Sequence, residues 1–324
     1  MRRIWVIIGM VAVLGSFSGC YSVLEQSESV YFTSPAWTPD GKKLYFIKDI
    51  SYFRTVVENK PFGKELYQFR DEWYLMKCNP DGSDTTTIAR IYKQKELLQE
   101  ALYQSFGVQM DISPSGEIVI NFLEPEGIFL MDTTGEIKAQ VLDWGKNPGW
   151  AFNYTKIIFE GDEEHPGIWI VGKDGSGLEK VIEKGESPIE LESVCRTTNE
   201  ILFSVEWDRK LCIFSFNTQR IDTIIKVIEA WSVSIVADWD KEGSEVILAE
   251  HRGYRESGYG EEQDTLLYRI YDIHSDSFIV NVPLTLDFVA ALRHHSNKGC
   301  TLLCDYQSIW RIKCDGTDLR KIFP

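Results

Sequence analysis

Residues that could perform acid–base, nucleophilic or metal chemistry are sparse in this sequence, and their spacing matches no catalytic motif. The chain contains five histidines, of which His294 and His295 are adjacent. Because successive residues of a strand point to opposite faces, this pair does not predict a shared metal site. The sequence also lacks the HExxH, G-x-S-x-G and G-x-x-x-x-G-K-S/T motifs. It therefore predicts no metal, no cofactor and no catalytic residue.

Acidic residues are numerous, but none of them forms a recognisable catalytic pair. The 324 residues include 49 Asp and Glu against 34 Lys and Arg, which gives a formal net charge of −15. Pairs such as Glu163–Glu164 and Glu261–Glu262 are expected by chance at this abundance. The negative balance disfavours nucleic-acid binding and electrostatic docking onto anionic lipid, because both need a basic surface.

The first twenty residues have the features of an export signal. Two arginines precede an apolar run from Ile4 to Leu14, which is too short to span a bilayer but suits a signal peptide. The small residues before Cys20 resemble the lipobox of bacterial lipoproteins, although that family usually has Leu where Phe17 stands. The resemblance implies that Cys20 becomes the lipidated first residue, so that acyl chains hold the protein at a membrane. An ordinary secretory signal with a chance cysteine is the alternative.

The residue after the cysteine bears on which membrane is involved. Many envelope lipoproteins that stay in the inner membrane have Asp there, so Tyr21 favours an outer membrane, with the protein facing the periplasm or the surface. The resulting domain prediction is a lipoprotein signal peptide over residues 1–19, a lipidated linker over 20–33 and one repetitive domain over 34–324.

Two sequence phrases recur through that domain. The first is Ser34–Ile47, with copies at 111–120, 147–159 and 237–248, and the second is Gly167–Ile182, with copies at 73–83, 127–135 and 309–317. Both alternate β-branched and aromatic residues around Asp-Gly or Thr-Gly turns, which is typical of β-hairpins. One copy of each makes a four-stranded unit, and we count six units, at 34–91, 108–142, 147–182, 188–225, 233–283 and 287–323.

The first phrase also carries a family resemblance. Its Pro-Ala-Trp-Thr-Pro-Asp-Gly-Lys-Lys stretch, from Pro35, resembles the WD40-like repeat of TolB-type six-bladed β-propellers. The resemblance implies an all-β fold, a six-bladed β-propeller of four-stranded antiparallel blades. It does not imply one function, because propellers host binding modules, lyases, hydrolases and protease gates. Six tryptophans at repeat positions are expected to pack between blades, namely Trp37, Trp73, Trp150, Trp169, Trp239 and Trp310.

The long connections between predicted strands all fall on one face of such a propeller. They include the second-to-third-strand connections at 48–72 and 251–264, with shorter ones at 161–166 and 206–209. Helical spacing of apolar residues also predicts a short amphipathic helix between Gln94 and Ser105. Loops that exceed the usual short length are often functional, so this face is the candidate recognition surface. Its Arg, Tyr and Trp residues are of the types enriched at binding hot spots. The candidates are Arg54, Tyr67, Arg70, Trp207, Arg209, Arg252, Tyr254, Arg255 and Tyr259.

Six cysteines follow Cys20, and an exported chain permits disulfides between them. A hairpin turn at Tyr306–Gln307 would set Cys300 roughly opposite Cys314. Cys78 competes for Cys314, because the two occupy equivalent positions in the first and last units of a ring. Free buried thiols are a third possibility.

The sequence thus predicts an envelope lipoprotein that acts as a non-catalytic binding or scaffold propeller for a protein or saccharide partner. The alternative is a carbohydrate-active or hydrolytic enzyme with its site at the propeller channel. Three or more carboxylates or histidines converging at the channel mouth would favour the enzyme. A surface of Arg and aromatic residues without them would favour binding.

Overall fold

The computed structural model describes residues 21–38, 40–58, 65–93, 97–99, 109–123, 126–185, 187–205, 209–226, 232–240, 242–254, 263–286, 289, 291–295, 300–305 and 307–323. These residues form 25 strands in six antiparallel sheets. In each sheet the strands follow chain order, and we name them a to d from the central channel outward. The prediction of an all-β six-bladed propeller is confirmed.

The first three blades follow the predicted units closely, apart from the earlier start of blade 1. Blade 1 also carries a fifth strand, β5 (Leu97–Gln99), which pairs with β3. The strands of blades 1 to 3 are β1 (Tyr21–Trp37), β2 (Leu44–Glu58), β3 (Glu65–Cys78), β4 (Thr86–Lys93), β6 (Met110–Ile112), β7 (Ile118–Leu123), β8 (Glu126–Met131), β9 (Ile137–Leu142), β10 (Lys146–Ala151), β11 (Lys156–Glu160), β12 (Ile168–Gly172) and β13 (Glu179–Ile182).

The last three blades are built in the same way. Blade 5 has the longest pair of strands among them, at its b and c positions. The strands of blades 4 to 6 are β14 (Ile189–Cys195), β15 (Glu200–Val205), β16 (Lys210–Ser215), β17 (Arg220–Lys226), β18 (Ser232–Trp239), β19 (Glu245–Tyr254), β20 (Gln263–Asp272), β21 (Ser277–Pro283), β22 (Ala291–His295), β23 (Cys300–Cys304), β24 (Ile309–Lys313) and β25 (Arg320–Phe323).

The hydrophobic core lies between the blades. Each neighbouring pair of blades shares one cluster of buried side chains, and the last such cluster joins blade 6 to blade 1. A single sheet could not bury both of its faces, so the radial arrangement supplies each face with a partner. The predicted packing of the repeat tryptophans agrees with this core: Trp37, Trp73, Trp150 and Trp239 are buried, whereas Trp169 and Trp310 are half-buried beside it.

The ring closes through side chains, because β25 ends blade 6 and β1 begins blade 1 without exchanging a strand. We call the contact between these two blades the seam. The rings of Phe32 and Phe46 lie 4.8 Å and 4.9 Å from the ring of Phe323. Both join the cluster that includes Cys300 and Leu302 of blade 6. The sequence had left the mode of closure open.

In three segments the described residues form more strand than the sequence predicts. The predicted helix between Gln94 and Ser105 is not formed by residues 97–99, which are strand β5, and the other residues of that segment lie outside the described ones. Much of the predicted 48–72 loop continues β2 and β3 as one paired ladder. Residues 21–33, expected as a linker, belong to β1 and pair with β2. Strand pairing satisfies the backbone hydrogen bonds of these segments, which a loop would leave to water.

The cysteine predictions can be compared with strand register. Cys300 pairs with Lys313, one position away from the predicted partner Cys314. No disulfide joins any of the six cysteines among the described residues. Burial raises the pKa of Cys78 and of Cys314 to about 11, so both thiols stay protonated at neutral pH.

Candidate binding site: the central channel and the blade 1 arm

The a strands of the six blades enclose a cavity of about 290 Å³ on the ring axis. At the same height along the channel axis, each a strand contributes one residue that faces the next blade. The strand register and the clusters of buried side chains show this. We call this set the channel ring. It consists of Ala36, Asp111, Gly149, Ser193, Asp238 and Arg293.

Asp111 ties blade 2 to the two blades that follow it. Its carboxylate accepts hydrogen bonds from the backbone N–H of Ile112 (2.8 Å) and of Trp150 in blade 3 (2.9 Å). The guanidinium of Arg196, which follows the a strand of blade 4, also bonds to it. The two N–H donors and the arginine compensate the negative charge of the Asp111 carboxylate. Asp111 therefore links the blades and has a structural role.

Asp238 has the same role between blades 4, 5 and 6. It accepts hydrogen bonds from the backbone N–H groups of Trp239 and of His294 in blade 6, both at 2.9 Å. The hydroxyl of Ser193 in blade 4 donates to the same carboxylate. Glu160 acts similarly near blade 4, because Lys146, Asn147 and the N–H of Leu191 all donate to it.

Glu192 differs from these acids in its charge. Burial raises its pKa to about 8, and the nearby Glu190 and Glu160 raise it further, while hydrogen bonds from Ser204 and from the backbone of Ala237 oppose the shift. Its side chain touches the cavity, yet protein surrounds it on the other sides, so ionisation is disfavoured. Glu192 is therefore a neutral carboxylic acid at pH 7.

Among the residues that the structure describes, no three His, Cys, Asp or Glu side chains form a group that could hold a metal ion.

We expect Glu192→Gln to flatten the pH dependence of stability between about pH 5 and 8, since the pKa of Glu192 is 4.5 in its ordinary state and about 8 in the fold. Over this interval the unfolded chain has lost the proton while the native state keeps it. The wild type therefore binds more protons when folded and loses stability as pH rises. Gln has no such proton, and urea denaturation at the two ends of the interval measures the difference.

The matched control is Glu164→Gln, because Glu164 is exposed in the connection after β11. That variant should keep the wild-type slope of stability against pH. A Glu192→Gln slope equal to that of the control would contradict the neutral state of Glu192.

None of the described sequence-predicted residues lines this cavity, and five of them lie on extensions of blades 1 and 5. In blade 1, residues 21–33, 48–58 and 65–72 continue β1, β2 and β3 as a three-stranded arm, with β5 on its outer edge. Arg54, Tyr67 and Arg70 occupy arm positions. Arg252 and Tyr254 lie near the ends of β19 in blade 5, and Arg209 lies in a turn of blade 4. Trp207, Arg255 and Tyr259 are outside the described residues.

Arg54 and Arg70 lie on the same side of the arm, because Arg70 pairs with Tyr52, which precedes Arg54 by two residues in β2. The guanidinium of Arg70 lies 4.3 Å from the ring centre of Tyr52, and its Nε is 3.8 Å from Glu72. Arg54 donates to the side chain of Gln26 (3.3 Å). The arm thus presents ordered cations on a mixed polar and aromatic surface, as hot spots often do.

Sequence reasoning missed the channel residues. Asp111 and Asp238 fall at the same column when copies of the first phrase are superposed, and this repeated acid was the available signal. Arg196 and Glu192 carry no such signal, because their neighbours come from other blades.

The fold and the channel define a six-bladed β-propeller with a polar lumen. No protein-family model matches the sequence, and neither does any curated protein. Among solved structures, TolB from Acinetobacter baumannii is 11% identical over 90% of this chain and 78% of its own, with a TM-score of 0.51. The propeller is therefore TolB-like in fold.

Two further solved structures are similar. An oligogalacturonate lyase from Vibrio parahaemolyticus is 12% identical over 89% of this chain and 93% of its own, with a TM-score of 0.45. An auxiliary nutrient binding protein from Bacteroides thetaiotaomicron is 12% identical over 92% of this chain and 84% of its own, with a TM-score of 0.46. At these identities the likeness concerns fold and leaves the ligand undefined.

Proposed function

We propose that this protein is a lipid-anchored binding propeller of the cell envelope that recognises a protein or saccharide partner through one face. The observation that carries the proposal is that both long hairpins, the blade 1 arm and the β19–β20 hairpin, extend on the same side of the ring, where strands b and c of each blade are connected. All a strands run in one direction along the channel, so the b–c ends of every blade lie on the same side of the ring. Extended hairpins beside a polar lumen form a concave surface suited to binding.

The position of Tyr21, the residue after Cys20, supports the anchoring part of the proposal. Tyr21 pairs with Glu58 at the far end of the arm. A lipid on Cys20 would therefore attach at the arm end, away from the blades. No helix among the described residues is long and apolar enough to cross a bilayer.

We expect deletion of Arg252–Gln263 to remove partner binding while membrane attachment persists. The deletion leaves Asp264–Thr265 as a two-residue turn between the paired residues His251 and Leu266, and the changes Asp264→Asn and Thr265→Gly suit such a turn. Recovery of the partner in a pull-down from envelope fractions should fall by about tenfold or more if the hairpin holds a hot spot.

Two controls separate the halves of the proposal. Cys20→Ser should lose membrane pelleting but keep the partner, whereas Lys173→Glu, on the opposite face, should change neither. An unchanged partner set after the hairpin deletion contradicts the binding face. Membrane pelleting of Cys20→Ser contradicts the lipid anchor.

A second candidate function is an enzyme with its site in the channel. Asp111, Glu190, Glu192, Asp238 and His294 all line the cavity, so acids and a histidine are present where such a site would lie. Asp111 and Asp238 are bound to backbone N–H groups, which leaves Glu192 as the acid whose raised pKa suits proton donation. Saccharide cleavage by the wild type that Glu192→Gln abolishes would favour this function, and equal cleavage by both would contradict it.

A further inference from the structure

The channel ring contains one arginine, Arg293, that forms no ion pair with the described residues. Among the described residues, Arg293 donates a single hydrogen bond, from Nη1 to the carbonyl of Leu292 (2.8 Å), and no carboxylate lies within ion-pair distance. A guanidinium has five N–H donors. Most of the donors of Arg293 are therefore available at the cavity that its side chain lines.

The other charges of the ring make this arginine stand out. Arg196 is paired with Asp111, and Asp238 is held by Ser193 and two backbone N–H groups. Neither aspartate is in a position to neutralise Arg293. A guanidinium inside a cavity binds a carboxylate well, because the two planar groups can form two parallel hydrogen bonds.

The next residue, His294, is held at the cavity wall by buried side chains. His294 Nδ1 lies 3.0 Å from Thr301 Oγ1, which lies 2.9 Å from the hydroxyl of Tyr268. Thr301 and Tyr268 are fully buried. The strand segment that carries Arg293 is therefore anchored to the interior of blade 6 and blade 5.

The cavity is large enough for a small ligand. Its volume is about 290 Å³, which is at the small end of ligand pockets. On the blade 3 side the ring residue is Gly149, where an added Cβ would lie 3.0 Å from Val194 Cγ2 of blade 4, so the backbone packs closely at this point of the wall.

We propose that the channel binds a small organic carboxylate, with Arg293 holding the carboxylate group. The raised pKa of Glu192 supports this, because a protonated acid does not repel an anion. This ligand is distinct from the partner at the hairpin face, so either proposal can fail without the other.

The test uses two pairs of probes that differ in charge: succinate with succinamide, and gluconate with sorbitol. Calorimetry and thermal unfolding of the purified protein should show saturable binding of at least one carboxylate and none of its neutral counterpart. Arg293→Gln should weaken that binding by about tenfold to a hundredfold, the range expected for a lost charged hydrogen bond. Arg220→Gln, at an exposed position of β17, should bind as the wild type does.

Arg293→Lys provides a second variant if Arg293→Gln does not fold. Lysine keeps the charge but cannot form two parallel bonds, so binding should weaken without disappearing. Comparison of each carboxylate with its neutral counterpart needs no variant at all. Equal binding within both pairs, no binding of either carboxylate, or full binding by Arg293→Gln would each overturn the proposal.

Discussion

Phe46→Ala should lower the free energy of unfolding by about 3–5 kcal/mol, the usual loss for a fully buried phenylalanine. Phe46 has no exposed surface, and its ring packs between Phe32 and Phe323 at the seam. No strand of blade 6 pairs with a strand of blade 1, so no strand pairing across the seam compensates for the cavity. The substitution should therefore weaken ring closure itself.

Urea denaturation measures the loss, and hydrogen exchange shows where it acts. Exchange should accelerate first in β1 and β23, which meet at the seam. The matched control is Ile279→Ala, since Ile279 is about half exposed (51%) and surface changes usually stay within about 0.5 kcal/mol. A loss for Phe46→Ala as small as that of the control would show that the seam does not hold the ring.

Arg269→Ala should have a comparable effect, about 3–5 kcal/mol, because it removes the positive charge that is paired with a buried carboxylate. Arg269 Nη1 lies 2.6 Å from Glu250 Oε2, and the Glu250 side chain is fully buried. The Arg269 guanidinium also lies 3.4 Å from the ring centre of Phe278. The variant thus loses a cation–π contact as well as an ion pair.

The control for this pair is an exposed ion pair in blade 2. Lys138 bonds to Asp132 and Glu136 on the surface, so Lys138→Ala should change stability by less than about 1 kcal/mol. The double variant Arg269→Ala with Glu250→Ala should recover part of the loss, because it removes both charges. No recovery in the double variant would contradict the assignment of the loss to the broken Arg269–Glu250 pair.

The repeating part of the fold could be predicted from sequence because its signals are local. Asp-Gly and Thr-Gly turns between alternating residues mark several of the hairpins, and the repeat extends this pattern to the units that lack such a turn. The arm could not be recognised in the same way. Residues 48–58 contain β-branched and aromatic residues without a regular alternation, and a strand of 15 residues such as β2 exceeds the usual length.

Other features depended on contacts between distant parts of the chain. Leu97 and Leu98 have helical spacing with their neighbours, yet the edge of β3 provides backbone partners that favour a strand. The channel charges were out of reach for the same reason. Arg196 of blade 4 forms an ion pair with Asp111 of blade 2. The strand register likewise places Cys300 opposite Lys313, one residue before the predicted partner Cys314.

Closure without strand exchange has a consequence for how such a chain can change. Each blade is a continuous stretch of sequence that also contains all of its own strand pairing. A gene segment that encodes one blade is therefore a complete unit of inheritance, and duplication or loss of that segment leaves the strand pairing of the other blades intact. The angle between neighbouring sheets and the polar contacts between blades, such as those of Asp111 and Asp238, must adjust. For the same reason, a circular permutant that starts at β6 or β10 would keep every strand pair of the ring.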